Sequence, residues 1–236
     1  MSNVDLIILC GGKGTRLKKI TGFKPKILCQ INSKPYLEYL LEQVSEFKFN
    51  KIILSTGYLS EQIEDWLINS KFSKRVDIIA EGIPHGTAGA IKNASKNSND
   101  KIIINGDTIL EFDYNNFFHE SRDNADISIA VKYVKKNENI QSGFINLDHN
   151  NKVISFNEKQ DSYNKDQFGF VNIGIYYFNY KSLKLIPKKI PYSFEYEFMP
   201  FIIEKKLLKV NGYIYDGVFI DFGTSKGFSK AKKFLK

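Results

Sequence analysis

The sequence predicts an α/β fold: a mostly parallel mixed central sheet with helices on both faces and a small antiparallel excursion late in the chain. Short apolar runs alternate with stretches whose apolar residues recur at three- and four-residue spacing, the alternation of βαβ units. From Phe144 onward the pattern changes, and strand-like runs follow one another with turn residues rather than helices between them.

Residues 5–9 form the first strand, carried by Leu6, Ile7, Ile8 and Leu9. The run breaks into Gly11-Gly12-Lys13-Gly14-Thr15-Arg16-Leu17, and Lys24-Pro25-Lys26-Ile27-Leu28 follows. Helical spacing starts near Pro35 and covers 36–47. Strand 51–55, helix 59–69, strand 76–80, helix 87–95, strand 101–105, helix 115–121 and strand 127–133 come next. Asp148-His149-Asn150-Asn151 reads as the turn between strands 144–147 and 152–157, and 170–178 is a further strand. A last pair of helices, 194–204 and 228–235, brackets strands at 207–210 and 218–220. Ligands of such an open sheet lie beyond the carboxyl ends of its parallel strands.

An apolar share of 42% over 236 residues suffices for a packed core in one α/β domain or two small ones. No run approaches the length of a membrane span, and Met1-Ser2-Asn3 leads into the first strand without a signal-like segment. A cytoplasmic protein with no membrane partner is expected. Cys10 and Cys29 sit on or near buried-looking strands and make no disulfide framework. The net charge of +8 comes almost wholly from scattered lysines, since Arg16, Arg75 and Arg122 are the arginines. A nucleic-acid surface would cluster its cations, so a modest field attracting phosphorylated small substrates is the better reading. His85 reads as a loop residue, and His119 and His149 lack ligand-like neighbours, so neither zinc nor a Ser-His-Asp arrangement is expected.

The glycine loop after the first strand has a backbone free to lie against phosphates, while Lys13, Arg16 and Lys26 can neutralise their charge. It is not a Walker A loop, and Leu17 stands where a dinucleotide fingerprint needs its third glycine. Two further strands end in a carboxylate beside glycine, in Asn105-Gly106-Asp107-Thr108 and in Ile220-Asp221-Phe222-Gly223. Such a pair can share a hard divalent cation with a triphosphate. Glu158-Lys159 closes a strand where a lysine can reach a phosphate, and Asn172 opens a segment suited to sugar hydroxyls. The small residues of Gly86-Thr87-Ala88-Gly89 at a helix start would let a base or phosphate approach closely.

In order along the chain, Gly11-Gly12-x-Gly14-Thr15-Arg16-Leu17 with Pro25-Lys26, Gly86-Thr87-Ala88-Gly89, Gly106-Asp107, Glu158-Lys159, Asn172-x-Gly174-Ile175-Tyr176 and Asp221-x-Gly223 resemble the sugar-1-phosphate nucleotidyltransferases, or nucleotide-sugar pyrophosphorylases. The resemblance implies a Rossmann-like three-layer α/β/α fold and a single domain over 1–236. Its nucleotide-binding part would be 1–125, and its sugar-phosphate-binding part with the C-terminal helix 126–236. It implies Mg²⁺ held by Asp107 and Asp221, with Arg16, Lys26, Asp107, Lys159 and Asp221 as the catalytic set. Leu9, Gly11, Gly12, Gly14, Thr15, Arg16, Lys26, Glu81, Gly86, Thr87 and Asp107 would bind the nucleotide, Gly11 and Glu81 meeting its base. Gly143, Glu158, Lys159 and Asn172 would bind the sugar phosphate.

The implied partners are an NTP and a sugar 1-phosphate, giving an NDP-sugar and pyrophosphate; a homodimer is compatible with the resemblance. A carboxylate such as Glu81 can accept N1–H and N2–H₂ of guanine together, which favours GTP. The short chain with Gly86-Thr87-Ala88-Gly89-Ala90 and Ser193-Phe194-Glu195 is most similar to the D-glycero-α-D-manno-heptose 1-phosphate guanylyltransferases of capsule, lipopolysaccharide or S-layer biosynthesis. His85, where the family commonly has leucine, and Phe144-Ile145 depart from the pattern and bear on the sugar more than the reaction. The alternatives are mannose 1-phosphate with GTP, cytidylyl, uridylyl or thymidylyl transfer to another sugar 1-phosphate, and non-catalytic binding of a nucleotide sugar.

Overall fold

The computed structural model describes residues 3–17, 22–135, 143–157 and 168–235; Glu158 and Lys159 lie outside the described residues. The chain begins with β1 (Val4–Leu9), β2 (Gln30–Ile31), β3 (Lys34–Pro35), α1 (Tyr36–Ser45), β4 (Ile52–Thr56), α2 (Ser60–Ile68) and β5 (Val76–Ala80). It continues through α3 (Thr87–Ala94), β6 (Asp100–Asn105), β7 (Thr108–Leu110), α4 (Tyr114–Asn124), β8 (Ile127–Lys135), β9 (Phe144–Leu147), β10 (Val153–Asn157) and β11 (Phe168–Phe178). Then come α5 (Tyr180–Leu183), a π-helical turn at Phe194–Phe198, α6 (Met199–Glu204), β12 (Val210–Ile214), β13 (Phe219–Asp221) and α7 (Ser225–Phe234).

Two compact units interleave along this chain: Met1–Pro84 with Ile104–Phe112 and Gly217–Lys236, and His85–Ile103 with Asp113–Asp216. Their borders differ from a division at residue 125. The C-terminal segment belongs to the first unit because β13 pairs antiparallel with β7, Asp221 opposite Thr108 and Phe219 opposite Leu110.

In the first unit β1, β4 and β5 are parallel, with Leu6 opposite Ile52 and Ile52 opposite Val76. Val4, Leu6, Ile7 and Ile8 are fully buried, as a strand covered on both faces requires. Helix α1 buries Tyr36, Leu37, Leu40, Leu41 and Val44, an i, i+1, i+4, i+5, i+8 stripe. Its polar atoms then fix β7: the Tyr36 hydroxyl donates to the Thr108 carbonyl at 2.5 Å and the Gln43 amide to the Leu110 carbonyl at 2.6 Å. One edge of β7 is thereby held by α1 and the other by β13.

The second unit carries the antiparallel excursion. β9 pairs antiparallel with β10 and with β11, and β11 runs antiparallel to β8, which is itself parallel to β12. The expected turn at 148–151 is present, with Asn151 at φ 60° and the Asp148 carboxylate accepting from the amides of Asn150 and Lys152 at 2.8 and 2.9 Å. Those bonds favour the ionised form and hold the Asp148 carboxyl below the usual range.

The strand expected at 207–210 is displaced to Val210–Ile214. Leu207 is used instead to close α6: Lys206, at φ 51°, donates to Ile203 and Leu207 donates to Ile202, a Schellman ending without glycine. Gly212 lies inside β12, where a Cβ would come within 2.8 Å of both Leu147 methyl groups.

Candidate active site

The carboxylates of Asp107 and Asp221 are brought together by the β7–β13 pairing. Asp107 precedes β7 and Asp221 ends β13, and the Phe222 amide donates to the Asp107 carbonyl at 3.1 Å. Lys26, from the short turn at Lys26–Leu28, forms an ion pair with Asp107. The three groups converge on Gly223. A Cβ placed there would stand 2.8 Å from Asp221 Oδ1, 2.8 Å from Lys26 Nζ and 3.4 Å from Asp107 Oδ2. A side chain there would push these groups aside, and the Gly223 amide donates to Asp221 Oδ1 at 2.7 Å.

Burial raises the Asp221 carboxyl above the ordinary range, and the charge of Asp107 raises it further, against the pull of the Gly223 amide, Lys26 and Arg16. Two crowded carboxylates with a lysine and an arginine in their field suit a hard cation and an anionic ligand. Among the described residues no third acid, histidine or cysteine joins them in a metal-binding group. Cys10 is close enough to feel the charge of Asp107, but burial is the main reason its thiol is pushed far above the usual range. It is an inert packing residue.

The glycine loop leaves β1 in the same unit. Gly11, Gly12, Thr15 and Arg16 are exposed, whereas Leu17 is buried and anchors the short turn Thr15–Leu17. Gly14 takes φ 58°, and a Cβ on it would press on Lys26 Cβ at 3.2 Å. Leu9 reaches the next crossing through its carbonyl, which accepts from the Gly106 amide at 3.0 Å; a Cβ on Gly106 would meet that same oxygen at 2.7 Å. Glu81 follows β5, half-buried, with its amide on the Thr56 carbonyl at 2.9 Å. The first unit thus holds Leu9, Gly11, Gly12, Gly14, Thr15, Arg16, Lys26, Glu81, Asp107 and Asp221.

Gly86 and Thr87 belong to the second unit, where the small residues have a structural cause. Gly86 has φ 74°, and a Cβ there would overlap the Tyr192 amide nitrogen and carbonyl oxygen, each 2.7 Å away. The amides of Ala88 and Gly89 both donate to the Tyr192 carbonyl, at 3.0 and 3.2 Å. The close approach read from this sequence is thus made by the chain at Tyr192, which caps α3. Thr87 hydrogen-bonds to the Glu195 carboxylate, whose burial raises its carboxyl above the usual range.

Asn172, also in the second unit, is buried at a bulge of β11. Its side-chain amide donates to the Tyr176 hydroxyl at 2.8 Å, and its oxygen accepts from Gly174, at φ 79°, at 2.9 Å. The Asn172 amide nitrogen donates to the Gly143 carbonyl at 3.1 Å. Both residues are therefore engaged in holding β11.

Sequence reading missed Phe222 and Tyr36. The Phe222 ring is fully buried, packs edge-on against Tyr36 at 4.5 Å between centroids, and has Lys26 Nζ 5.6 Å from its centre. No spacing signal could have joined three residues from separate elements.

A family model described as nucleotidyl transferase matches residues 6–236. The D-glycero-alpha-D-manno-heptose 1-phosphate guanylyltransferase of Aneurinibacillus thermoaerophilus is 33% identical over 238 aligned residues, covering 99% of each chain. Its Campylobacter jejuni counterpart is 34% identical over 95% of this chain and 97% of its own. The crystal structure of HddC from Yersinia pseudotuberculosis complexed with GMP-PN superposes with a TM-score of 0.83 at 35% identity, covering 98% of this chain and 99% of that one. The Rossmann-like fold with its mixed sheet is accordingly the expected one, and the chain belongs to the nucleotidyl transferase family.

Proposed function

We propose that this nucleotidyltransferase joins GTP to D-glycero-α-D-manno-heptose 1-phosphate, releasing pyrophosphate and forming a GDP-heptose for a surface glycan in the cytoplasm. The observation that carries the choice of substrates is full-length similarity to two heptose 1-phosphate guanylyltransferases. The Asp107, Asp221 and Lys26 cluster supports the reaction type.

A sugar 1-phosphate oxygen is already an anion, so its attack on the α-phosphorus needs no general base. The new P–O bond forms as the bond to the pyrophosphate oxygen breaks, and the difficulty lies in bringing two polyanions into line. Lys26 and Arg16 reduce that repulsion and stabilise the pyrophosphate as its charge develops. The exposed amides of the glycine loop receive phosphate oxygens, and the Glu81 carboxylate accepts from guanine N1–H and N2–H₂. Asp107 and Asp221 are the residues that would hold Mg²⁺; two oxygen donors without soft ligands leave coordination positions for water and phosphate. That ion, when bound, neutralises triphosphate charge. Lys159 and Glu158 complete the reading at the sugar phosphate, and Asn172 with Gly143 acts as a positioning pair through the β11 bulge.

The test is a pyrophosphate-release panel crossing GTP, ATP, CTP, UTP and dTTP with glucose, mannose and D-glycero-α-D-manno-heptose 1-phosphates in the presence of Mg²⁺. Release confined to GTP with the heptose phosphate is expected. Preference for CTP or UTP overturns the base, preference for mannose 1-phosphate overturns the sugar, and no release with any pair overturns the reaction.

A further inference from the structure

The second unit contains a cavity of about 850 Å³, the size of a nucleotide or a phosphorylated metabolite. Four lysines line it: Lys92 from α3, Lys96 just beyond that helix, Lys184 at the end of α5, and Lys188 in the segment that follows. No aspartate or glutamate is among the lining residues. Leu183, Pro187 and Ile190 add apolar surface to the lining.

Three of the four cations have neutral partners. Lys92 donates to the Ile186 carbonyl, Lys96 donates to the Asn93 side chain at 3.1 Å, and Lys184 lies 4.4 Å from the centre of the Tyr180 ring. None of the four forms an ion pair among the described residues. Lys189, next to Lys188 in the chain, is by contrast paired with Glu197 at 2.9 Å. Burial lowers the Lys92 ammonium below its usual range, and repulsion from Lys188 lowers it further. Like charges held around one cavity without an acid are in the state that a bound polyanion would relieve.

We propose that this cavity is a binding site for a small molecule carrying a di- or triphosphate group, held by Lys92, Lys96, Lys184 and Lys188, with the uncharged remainder of the ligand against Leu183, Pro187 and Ile190. The site lies wholly within the second unit and shares no residue with the Lys26, Asp107 and Asp221 cluster of the first.

The experiment is calorimetric titration with inorganic tripolyphosphate at low ionic strength without divalent cations. The host protein carries Lys26→Ala, so that the catalytic cluster contributes least. Binding is expected to persist in that host and to weaken at least tenfold when Lys184→Ala and Lys188→Ala are added. A control adds Lys230→Ala and Lys233→Ala, which removes the same charge from exposed positions on α7 in the first unit. Circular dichroism and a thermal melt establish that each variant is folded. Loss confined to the Lys184/Lys188 pair supports the site. Equal loss in both pairs shows a diffuse field, and no loss in either shows no site; both results overturn the proposal. The lysine-dependent part of the affinity for GTP, compared with that for tripolyphosphate, separates a nucleotide from a bare polyphosphate as the ligand.

Discussion

Replacing Gly223 by alanine should separate activity from stability. The added Cβ would lie 2.8 Å from both Asp221 Oδ1 and Lys26 Nζ, and 3.4 Å is the near edge of ordinary contact, so each atom must retreat by about 0.6 Å. Both are the far ends of side chains, which swing aside at little cost to the fold. Gly223 also lacks a left-handed φ that alanine would strain. The expected change in unfolding free energy is within about 1 kcal/mol. The proposed catalytic groups Asp221 and Lys26, however, would be displaced by more than half an ångström, and positioning errors near 1 Å cost about 100-fold, so kcat/KM should fall roughly 10- to 100-fold.

Gly227→Ala is the opposite case. A Cβ there would lie 1.8 Å from the Asp221 carbonyl oxygen and 3.0 Å from Phe222 Cα, both backbone, so α7 itself must move. In an open helix this substitution stabilises by up to about 1 kcal/mol; here it should destabilise by about 3 kcal/mol or more. A coupled pyrophosphate-release assay and a calorimetric melt on both variants decide the matter. Wild-type kcat/KM in Gly223→Ala, or a loss of Tm matching that of Gly227→Ala, would refute the reasoning.

Asp107→Ala removes the ion-pair partner of Lys26 and one of two oxygen donors; turnover should drop by about 100-fold or more with an unchanged circular dichroism spectrum, and near-normal turnover would disprove its role. Because the folded protein raises the Asp221 carboxyl, the stability linked to that group is complete below the ordinary carboxylate pKa and is lost as pH rises through the raised value. Asp221→Asn should therefore melt higher than wild type at pH 7 to 8 in EDTA, with the gain shrinking as the pH approaches 4; a gain that grows with acid would reverse the assignment. Asn172→Ala deletes the Tyr176 bond and leaves the buried Gly174 amide without its acceptor, so urea unfolding should show a loss of about 1–3 kcal/mol. An unchanged unfolding midpoint would show that the bulge does not depend on this side chain.

Much of the fold was legible because periodicity reports burial. Val76–Ala80 and Phe144–Leu147 stand where the apolar runs end, and α1 begins at Tyr36 as its helical spacing does. The misplaced strand shows the limit. Lys206 accepts a left-handed φ that carries no residue signature, and Gly212 is tolerated in β12 only because Leu147 fills its place.

The sequence by itself determined the α/β class, the two strand-end carboxylates and the glycine loop, since strand periodicity and turn chemistry are local properties of the chain. Tertiary structure decided which of these meet. Asp107 and Asp221 become neighbours through the β7–β13 ladder, Lys26 closes on them from a separate turn, and Gly223 leaves the space in which all three converge. It also placed the Tyr192 backbone against Gly86, where no side chain would fit. Distances between segments far apart in the chain depend on how strands pair and how helices pack against them, and no spacing along the sequence records that choice.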